Sequence, residues 1–237
     1  MKTILMMKGA KKLVQICARV RRGESVLIVT DTSMIGIAET LASAVYAEDA
    51  EPTIAIMIPR KEHGAEPPVA VAEAMKKSNV IFTPVSRSIT HTQALKDAIS
   101  AGARALAMSE FTDEMMISGG IEADFEAQKP ICEKIAERLG SAATARVRSP
   151  GGTDLTMSVK GRRGRALTCI VSAGQFSPVP NIEAAVSPVE GTAEGVIVAD
   201  ASVAGMGLIK TPIKAFVKNG LITAIEGEED ADKLRNI

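Results

Sequence analysis

Hydrophobic and polar positions alternate in two ways along the first 143 residues. Short, nearly continuous apolar runs are typical of strands that are covered on both faces. Amphipathic segments with helical spacing lie between these runs. The runs are ESVLIVTD (24–31), PTIAIMI (52–58), NVIFTPV (79–85) and ARALAMS (103–109). The repeat of strand and helix predicts an α/β fold, a doubly wound parallel-sheet domain over residues 1–143.

The predicted helices carry recognisable end signals. The segment PPVAVAEAMKKS (67–78) begins with prolines, which suit a first helical turn. In THTQALKDAISAG (90–102), Thr90 is the predicted N-cap and Gly102 the predicted stop. The longer segment 123–143 is predicted to form a helix that kinks or begins near Pro130.

The pattern changes from residue 144 onwards. Short segments of alternating polarity are separated by SPGG, GRRG and VKNG, which are typical of hairpin turns. The clearest hairpin has Asn219 and Gly220 at its turn, a pair suited to type I′ geometry. Residues 144–237 are therefore predicted to form a β-rich α+β domain. The final segment, 230–237, has the pattern of a helix that has just begun, so we expect this domain to be incomplete.

Composition and charge exclude several classes of partner. The chain has 237 residues with 28 basic and 28 acidic side chains, so no net field attracts nucleic acid or an anionic membrane. The basic run 160–165, KGRRGR, is interpreted as a solvated hairpin turn. The chain has no Trp, one Tyr and five Phe, which leaves few rings for stacking on bases. We predict no nucleic-acid partner.

The same sequence argues for a reduced, non-membrane environment. Three cysteines lie far apart without CxxC spacing, which is not typical of a zinc ribbon or a disulfide framework. No apolar run approaches the length of a membrane span, and lysines interrupt the apolar start of the chain. We predict a cytoplasmic protein whose cysteines are reduced and buried. The cysteines are Cys17, Cys132 and Cys169.

Most candidate catalytic residues have a simpler structural interpretation. His63 lies in a charged loop and His91 at a helix start, and neither has a second ligand at helical metal spacing. The turn TDTSMIG (30–36) lacks the glycines of a dinucleotide site, and no G-x-S-x-G elbow occurs. Asp154 is interpreted as an Asx turn, with a ligand role as the alternative.

One turn-rich segment has an unusual concentration of carboxylates. PNIEAAVSPVEGTAEG (180–195) contains Glu183, Glu190 and Glu194 among proline, glycine and small residues. All three glutamates suit a solvated loop. Alternatively, a carboxylate on a turn bounded by proline is a hard oxygen ligand for a divalent ion, and Glu183 is the residue placed to act as one.

These segments resemble the thermophilic metallopeptidases of the M29 aminopeptidase family. The family pattern N-x-P-x-x-E, followed by proline and then E-G-x-x-x-G, is similar to residues 180–195. RSPGGTDLTMSVKGR (148–162) and the hairpin VKNGLITAIEG (217–227) also match. Relatives include leucyl aminopeptidases and 2,5-dihydroxypyridine 5,6-dioxygenases. The resemblance implies a doubly wound domain followed by a β-rich domain with the metal centre, and homodimers.

The resemblance places a metal ligand of the peptidases on Glu183 and on no other residue of this chain. The family's remaining ligands lie in a C-terminal part, so we expect the chain to be C-terminally truncated. A peptidase of this kind holds two divalent ions (Zn, Co or Mn) that activate a bridging water, and its ring-opening relatives use one Fe(II). No catalytic side chain is assigned.

The residues and this family resemblance leave three functional hypotheses. The leading hypothesis is a metallo-aminopeptidase-like hydrolase, because the ring-opening relatives tend to have an apolar residue where this chain has Glu183. The second is an Fe(II)-dependent dioxygenase acting on 2,5-dihydroxypyridine-type substrates. The third is a non-catalytic module that binds a small ligand or dimerises. The expected substrate is a peptide or another small molecule.

Overall fold

The computed structural model describes residues 2–236, which form two compact units. Residues up to Cys132 and Leu167–Glu183 make up unit 1, and Glu133–Ala166 and the residues from Ala184 onwards make up unit 2. The chain therefore passes between the units more than once. The predicted domains, 1–143 and 144–237, stay predictions, and the compact units divide the chain at other positions.

Helices and strands are numbered along the chain. The helices are α1 (Lys2–Lys12), continued by a π-helical turn at Leu13–Cys17, α2 (Ile35–Tyr46), α3 (Val69–Lys76), α4 (Gln93–Ser100), α5 (Asp113–Ile117), a 3₁₀ turn at Gly119–Glu122, α6 (Phe125–Ser141) and α7 (Glu229–Arg235). The strands are β1 (Ser25–Asp31), β2 (Glu51–Met57), β3 (Val80–Val85), β4 (Arg104–Ser109), β5 (Thr144–Arg148), β6 (Asp154–Ser158), β7 (Arg165–Leu167), β8 (Phe176–Pro178), β9 (Glu183–Ala185), β10 (Glu194–Ala199), β11 (Ser202–Val203), β12 (Gly207–Leu208), β13 (Ile213–Lys218) and β14 (Leu221–Glu226).

Unit 1 is built on a parallel sheet with the strand order β2-β1-β3-β4-β8. The order reverses between β1 and β3, because β2 lies on one side of β1 and the later strands lie on the other. Open α/β sheets of this kind have a crevice at the carboxyl ends of the strands at the reversal point. The predicted α/β class is confirmed.

Helices cover both faces of this sheet, as its nearly continuous apolar strands predict. One buried cluster joins Val26 and Ile28 of β1 to α1 and α2. The other joins Leu27 and Val29 of the same strand to α3 and α4. Alternate residues of β1 thus belong to opposite cores, which defines a doubly wound unit.

The helix ends differ in part from the predicted ones. The predicted N-cap Thr90 is wrong, since Thr92 precedes α4 and its hydroxyl accepts a hydrogen bond from the Leu95 N–H at 3.3 Å. The predicted stop at Gly102 is confirmed by a φ of +101°. Helix α6 begins at Phe125 and contains Pro130, so a helix start near this proline is wrong, and the alternative of a kink there stays a prediction.

Unit 2 contains an antiparallel sheet with the order β14-β13-β10-β6-β5, which confirms the β-rich prediction. Asn219 and Gly220 have φ values of +51° and +75° between β13 and β14, as a type I′ turn requires. The basic run 160–165 does not join a hairpin, because its flanking strands β6 and β7 belong to different sheets. Within residues 2–236, no helix is both long and apolar enough to cross a membrane.

Candidate functional site

The predicted ligand Glu183 lies at the start of β9 with an exposed side chain. One carboxylate oxygen lies 3.4 Å from the Asn181 side-chain nitrogen, which donates to it. The Glu183 carbonyl accepts a contact from the Cys132 thiol at 3.0 Å. The backbone at Glu183 is thus fixed while its carboxylate faces solvent, and the predicted ligand role stays a prediction.

The other two glutamates of the segment have separate structural partners. Glu190 forms an ion pair with Arg162, the middle of the basic run. Glu194 accepts a hydrogen bond from the Asn219 backbone N–H at 2.7 Å and so fixes the turn between β13 and β14. The three carboxylates therefore do not form one cluster.

The described residues do not provide a metal site of either implied kind. Within residues 2–236, no group of three or more His, Cys, Asp or Glu side chains is arranged to hold a metal ion. The donor set of this part of the chain does not fit a pair of divalent ions or an Fe(II) held by two histidines and a carboxylate. A metal-dependent step therefore has no complete ligand set among these residues.

The other candidate residues of the sequence analysis either make structural contacts, lie on the surface or are buried. Asp154 is not an Asx turn but starts β6, and both of its oxygens accept hydrogen bonds from Arg146 at 2.7 Å. His91 is exposed in the turn before α4. The three cysteines are buried and unbridged, in agreement with the prediction. Burial raises the pKa of the Cys169 thiol to about 11, which disfavours a nucleophilic thiolate.

Unit 1 has a large crevice that the sequence analysis did not identify. It has a volume of about 800 Å³, within the range of roughly 300–1,000 Å³ of small-molecule sites. Its lining residues come from the segments that follow the carboxyl ends of β1, β2, β3 and β4, where the strand order reverses. They include Ser33, Gly36, Arg60, Lys61, Ser86, Arg87, Glu110, Asp113 and Glu114.

Asp31 fastens together two of the segments that line this crevice. The side chain is buried at the end of β1, and one oxygen accepts hydrogen bonds from the Ser86 N–H and hydroxyl, both at 2.7 Å. The other oxygen accepts from the Ser33 N–H at 2.9 Å. Burial favours a higher pKa for Asp31, but these hydrogen bonds outweigh it and hold the pKa below its ordinary value. Asp31 therefore remains a carboxylate that fixes the reversal point.

The crevice has a basic wall and an acidic wall. Arg60 and Lys61 follow β2, and Arg87 follows β3. The acidic residues follow β4. Two of them already face a cation, because Glu110 lies 3.8 Å from Arg87 and Asp113 lies 3.1 Å from Lys2.

The loop that carries the basic wall is attached to the loop after β3. The Gly64 N–H donates to the Ser88 carbonyl at 2.7 Å, and the Ser88 N–H donates to Nδ1 of His63 at 3.2 Å. The Glu66 carboxylate accepts hydrogen bonds from the Gln93 and Ala94 N–H groups at the start of α4. His63 thus has a positioning role beside the crevice, although it lies on the surface as predicted.

The basic residues of this wall share a feature in the sequence, which is that each follows soon after a strand. This feature indicates a site only once the strand order is known. Each follows a strand by no more than four residues, at PRK (59–61) and SR (86–87). Exposed basic residues after a strand are common, so this spacing alone does not predict a site. The reversal between β1 and β3 brings the two segments to one edge.

The chain thus combines a doubly wound unit that has a crevice at its strand ends with an antiparallel β unit. The sequence matches the family model of 2,5-dihydroxypyridine 5,6-dioxygenase (NicX) over residues 6–237. The chain belongs to this family. No protein of curated function matches the sequence.

Two solved structures share the fold. The 2,5-dihydroxypyridine dioxygenase of Pseudomonas putida KT2440 aligns with a TM-score of 0.82 and 17% identity, over 99% of this chain and 71% of that one. AmpT from Thermus thermophilus, an M29 aminopeptidase, aligns with a TM-score of 0.65 and 18% identity, over 98% and 74%. At these identities the likeness concerns the fold, and the two neighbours represent both enzyme types of the resemblance.

Proposed function

We propose that this protein is a ring-opening dioxygenase that acts on a hydroxylated pyridine of the 2,5-dihydroxypyridine type. The observation that carries the proposal is the family match, which extends from residue 6 to residue 237 and so includes both units. The higher TM-score of the dioxygenase neighbour agrees with it. This proposal reverses the order of the two enzyme hypotheses given by the sequence motifs.

A metallo-aminopeptidase activity is the second candidate, and Glu183 is the observation that favours it. This residue matches the carboxylate ligand of the peptidase motif, and its side chain is exposed and makes one long hydrogen bond. Both candidates depend on a divalent metal. The described residues do not assemble a metal site. We therefore propose a ligand role for Glu183 alone, and only under the peptidase candidate.

Parallel assays of the full product of the reading frame distinguish the candidates. One assay measures oxygen uptake with 2,5-dihydroxypyridine and Fe²⁺, and the other measures cleavage of leucyl-p-nitroanilide with Co²⁺ or Zn²⁺. A dioxygenase gives oxygen uptake in the first assay and no cleavage in the second. Amide cleavage alone contradicts the dioxygenase proposal.

A matched pair of variants tests the role of Glu183. Glu183→Ala removes the predicted peptidase ligand, while Glu137→Ala removes an exposed glutamate of α6. If the protein is a peptidase with Glu183 as ligand, only Glu183→Ala abolishes cleavage. If it is a dioxygenase, we expect oxygen uptake in both variants. The predicted homodimer and cytoplasmic location stay proposals, and sedimentation of the same preparations measures the oligomeric state.

A further inference from the structure

We propose that the crevice of unit 1 binds the oxyanion group, a phosphate or a carboxylate, of a small molecule on the wall formed by Arg60, Lys61 and Arg87. This binding site is separate from the activity proposed above and does not depend on it. It requires no metal ion. The proposal stands on the charges, the helix end and the fixed loops at this edge of the sheet.

The acidic side chains of the crevice mostly have cationic partners, whereas two of its basic side chains have no carboxylate partner. Asp113 is paired with Lys2, and Glu114 also lies in the field of Lys2. Glu110 faces Arg87. Among residues 2–236, Arg60 and Lys61 have no carboxylate within ion-pair distance, and Lys61 has no hydrogen bond. Arg60 and Lys61 therefore remain available to an anion, whereas Arg87 lies 3.8 Å from Glu110 and its Nη1 also contacts Nε2 of His63 at 3.3 Å.

The start of α2 adds backbone donors to the same crevice. The first N–H groups of a helix have no partner within the helix and carry a partial positive charge. No side chain caps α2, and Ser33, Gly36 and Ile37 line the crevice. A Cβ placed on Gly36 meets no protein atom within 4 Å. Open space therefore borders this first turn beside the cationic wall.

The groups that contact the anion are held before it binds. Asp31 joins the segment before α2 to Ser86, and Gly64 and His63 join the loop of Arg60 and Lys61 to Ser88. Arg60 itself donates to the Glu66 carbonyl at 3.3 Å. A prearranged set of donors loses less conformational entropy on binding.

The same features limit the kind of ligand. The turn after β1 lacks the glycine pattern by which a backbone encloses a pyrophosphate. The crevice instead presents side-chain cations, which suit a single phosphate or carboxylate group. The acidic wall disfavours a ligand that is anionic along its whole length.

Titration calorimetry with inorganic phosphate and with malonate, at constant ionic strength, tests the proposal on the intact chain. We expect saturable binding of at least one anion at one site per chain. The tighter of the two identifies the class of oxyanion. Lys61→Gln is expected to weaken binding about tenfold, since it removes one charge-assisted contact.

Two further variants separate the site from general charge effects. Gly36→Ala adds a methyl group to the open space at α2 and is expected to weaken binding by roughly tenfold or more while the protein stays folded. Lys96→Gln removes an exposed lysine of α4 outside the crevice and is expected to leave the affinity unchanged. The proposal is overturned if neither anion gives saturable binding, or if Lys96→Gln weakens it as much as Lys61→Gln.

Discussion

The sheets of the two units differ in how completely they are buried. In unit 1, β3 is buried at every position and β1 at every position after the first. In unit 2, β14 has one partly buried residue, and β13 alternates between buried and more exposed positions. A sheet covered on both faces gives the segments at its strand ends a rigid base, as a preorganised site requires. The difference favours unit 1 as the location of the small-molecule crevice.

The largest predicted difference comes from truncating the same side chain in each sheet. Ile81→Ala in β3 leaves a cavity in a fully buried position, and we expect a loss of about 3–5 kcal/mol in the free energy of unfolding. Ile222→Ala in β14, where the side chain is 58% exposed, is expected to cost about 1 kcal/mol or less. Urea unfolding followed by circular dichroism measures both. Equal losses of unfolding free energy in the two variants would contradict the proposed difference in burial between the two sheets.

Two arginine–carboxylate pairs extend the comparison to electrostatics. Arg104 in unit 1 is buried and donates to both oxygens of Glu24 and to the Ala18 and Arg19 carbonyls. Arg146 in unit 2 makes a similar fork with Asp154, but that pair is about half exposed. We expect Arg104→Met to cost about 3 kcal/mol, because buried acceptors lose their donors.

Arg146→Met is the matched control and is expected to cost at most about 1 kcal/mol. Thermal unfolding of both variants measures the difference. A larger loss in Arg146→Met would contradict the role of burial.

The pair of unit 1 also predicts a pH dependence. Burial favours a higher pKa for Glu24, but hydrogen bonds from Arg104 and Arg21 outweigh it and hold the pKa below its ordinary value of 4.5. The stabilisation is therefore complete above pH 4.5 and is lost as the pH falls through the lowered pKa. Unfolding measured from pH 7 to pH 3 is expected to show this loss in wild type and a smaller one in Arg104→Met. Parallel profiles would contradict it.

Two glycines within unit 1 sharpen the distinction between its core and its crevice. A Cβ on Gly9 in α1 lies 2.1 Å from the Met116 carbonyl oxygen, whereas one on Gly36 in α2 meets nothing. We expect Gly9→Ala to destabilise the protein by about 1–3 kcal/mol. Gly36→Ala is expected to stabilise it by about 0.5–1 kcal/mol, since alanine favours the helix. Melting temperatures that shift in the same direction would contradict this assignment.

A further small effect is predicted for a buried hydroxyl in β3. Thr83 is 1% exposed, and its hydroxyl has no hydrogen-bond partner among the described residues. Thr83→Val replaces the hydroxyl with a methyl group of similar size, and we expect a gain of about 1 kcal/mol. Chemical unfolding of this variant beside Thr53→Val, an exposed position of β2, measures the gain. A loss of stability specific to Thr83→Val would contradict the expectation.

The sequence predicted those parts of the fold that depend on local patterns. The apolar runs of β1 to β4 and the turn at Asn219 carry their own signals, and the structure agrees with them. Strand β8 was not predicted, because three residues that include Pro178 have no periodicity, and its place beside β4 depends on distant pairing. The N-cap of α4 was assigned to Thr90 instead of Thr92, because a threonine at either position offers the same capping hydroxyl.

The candidate site was less predictable than the fold. Glu183 was chosen from a motif, and the structure shows that Glu190 and Glu194 of the same segment have other partners. The crevice depends on residues from four separate segments that converge only through the strand order. Local sequence patterns carry no information about that convergence.

The most direct test of the central claim is the stoichiometry of oxygen uptake with 2,5-dihydroxypyridine by the full product of the reading frame, supplied with Fe²⁺. A ring-opening dioxygenase inserts both atoms of O₂ into its product, so we predict that one O₂ is consumed for each ring lost, as followed by an oxygen electrode and by the ring absorbance. Absence of oxygen uptake, together with release of p-nitroaniline from leucyl-p-nitroanilide, would contradict the dioxygenase account and establish the aminopeptidase alternative.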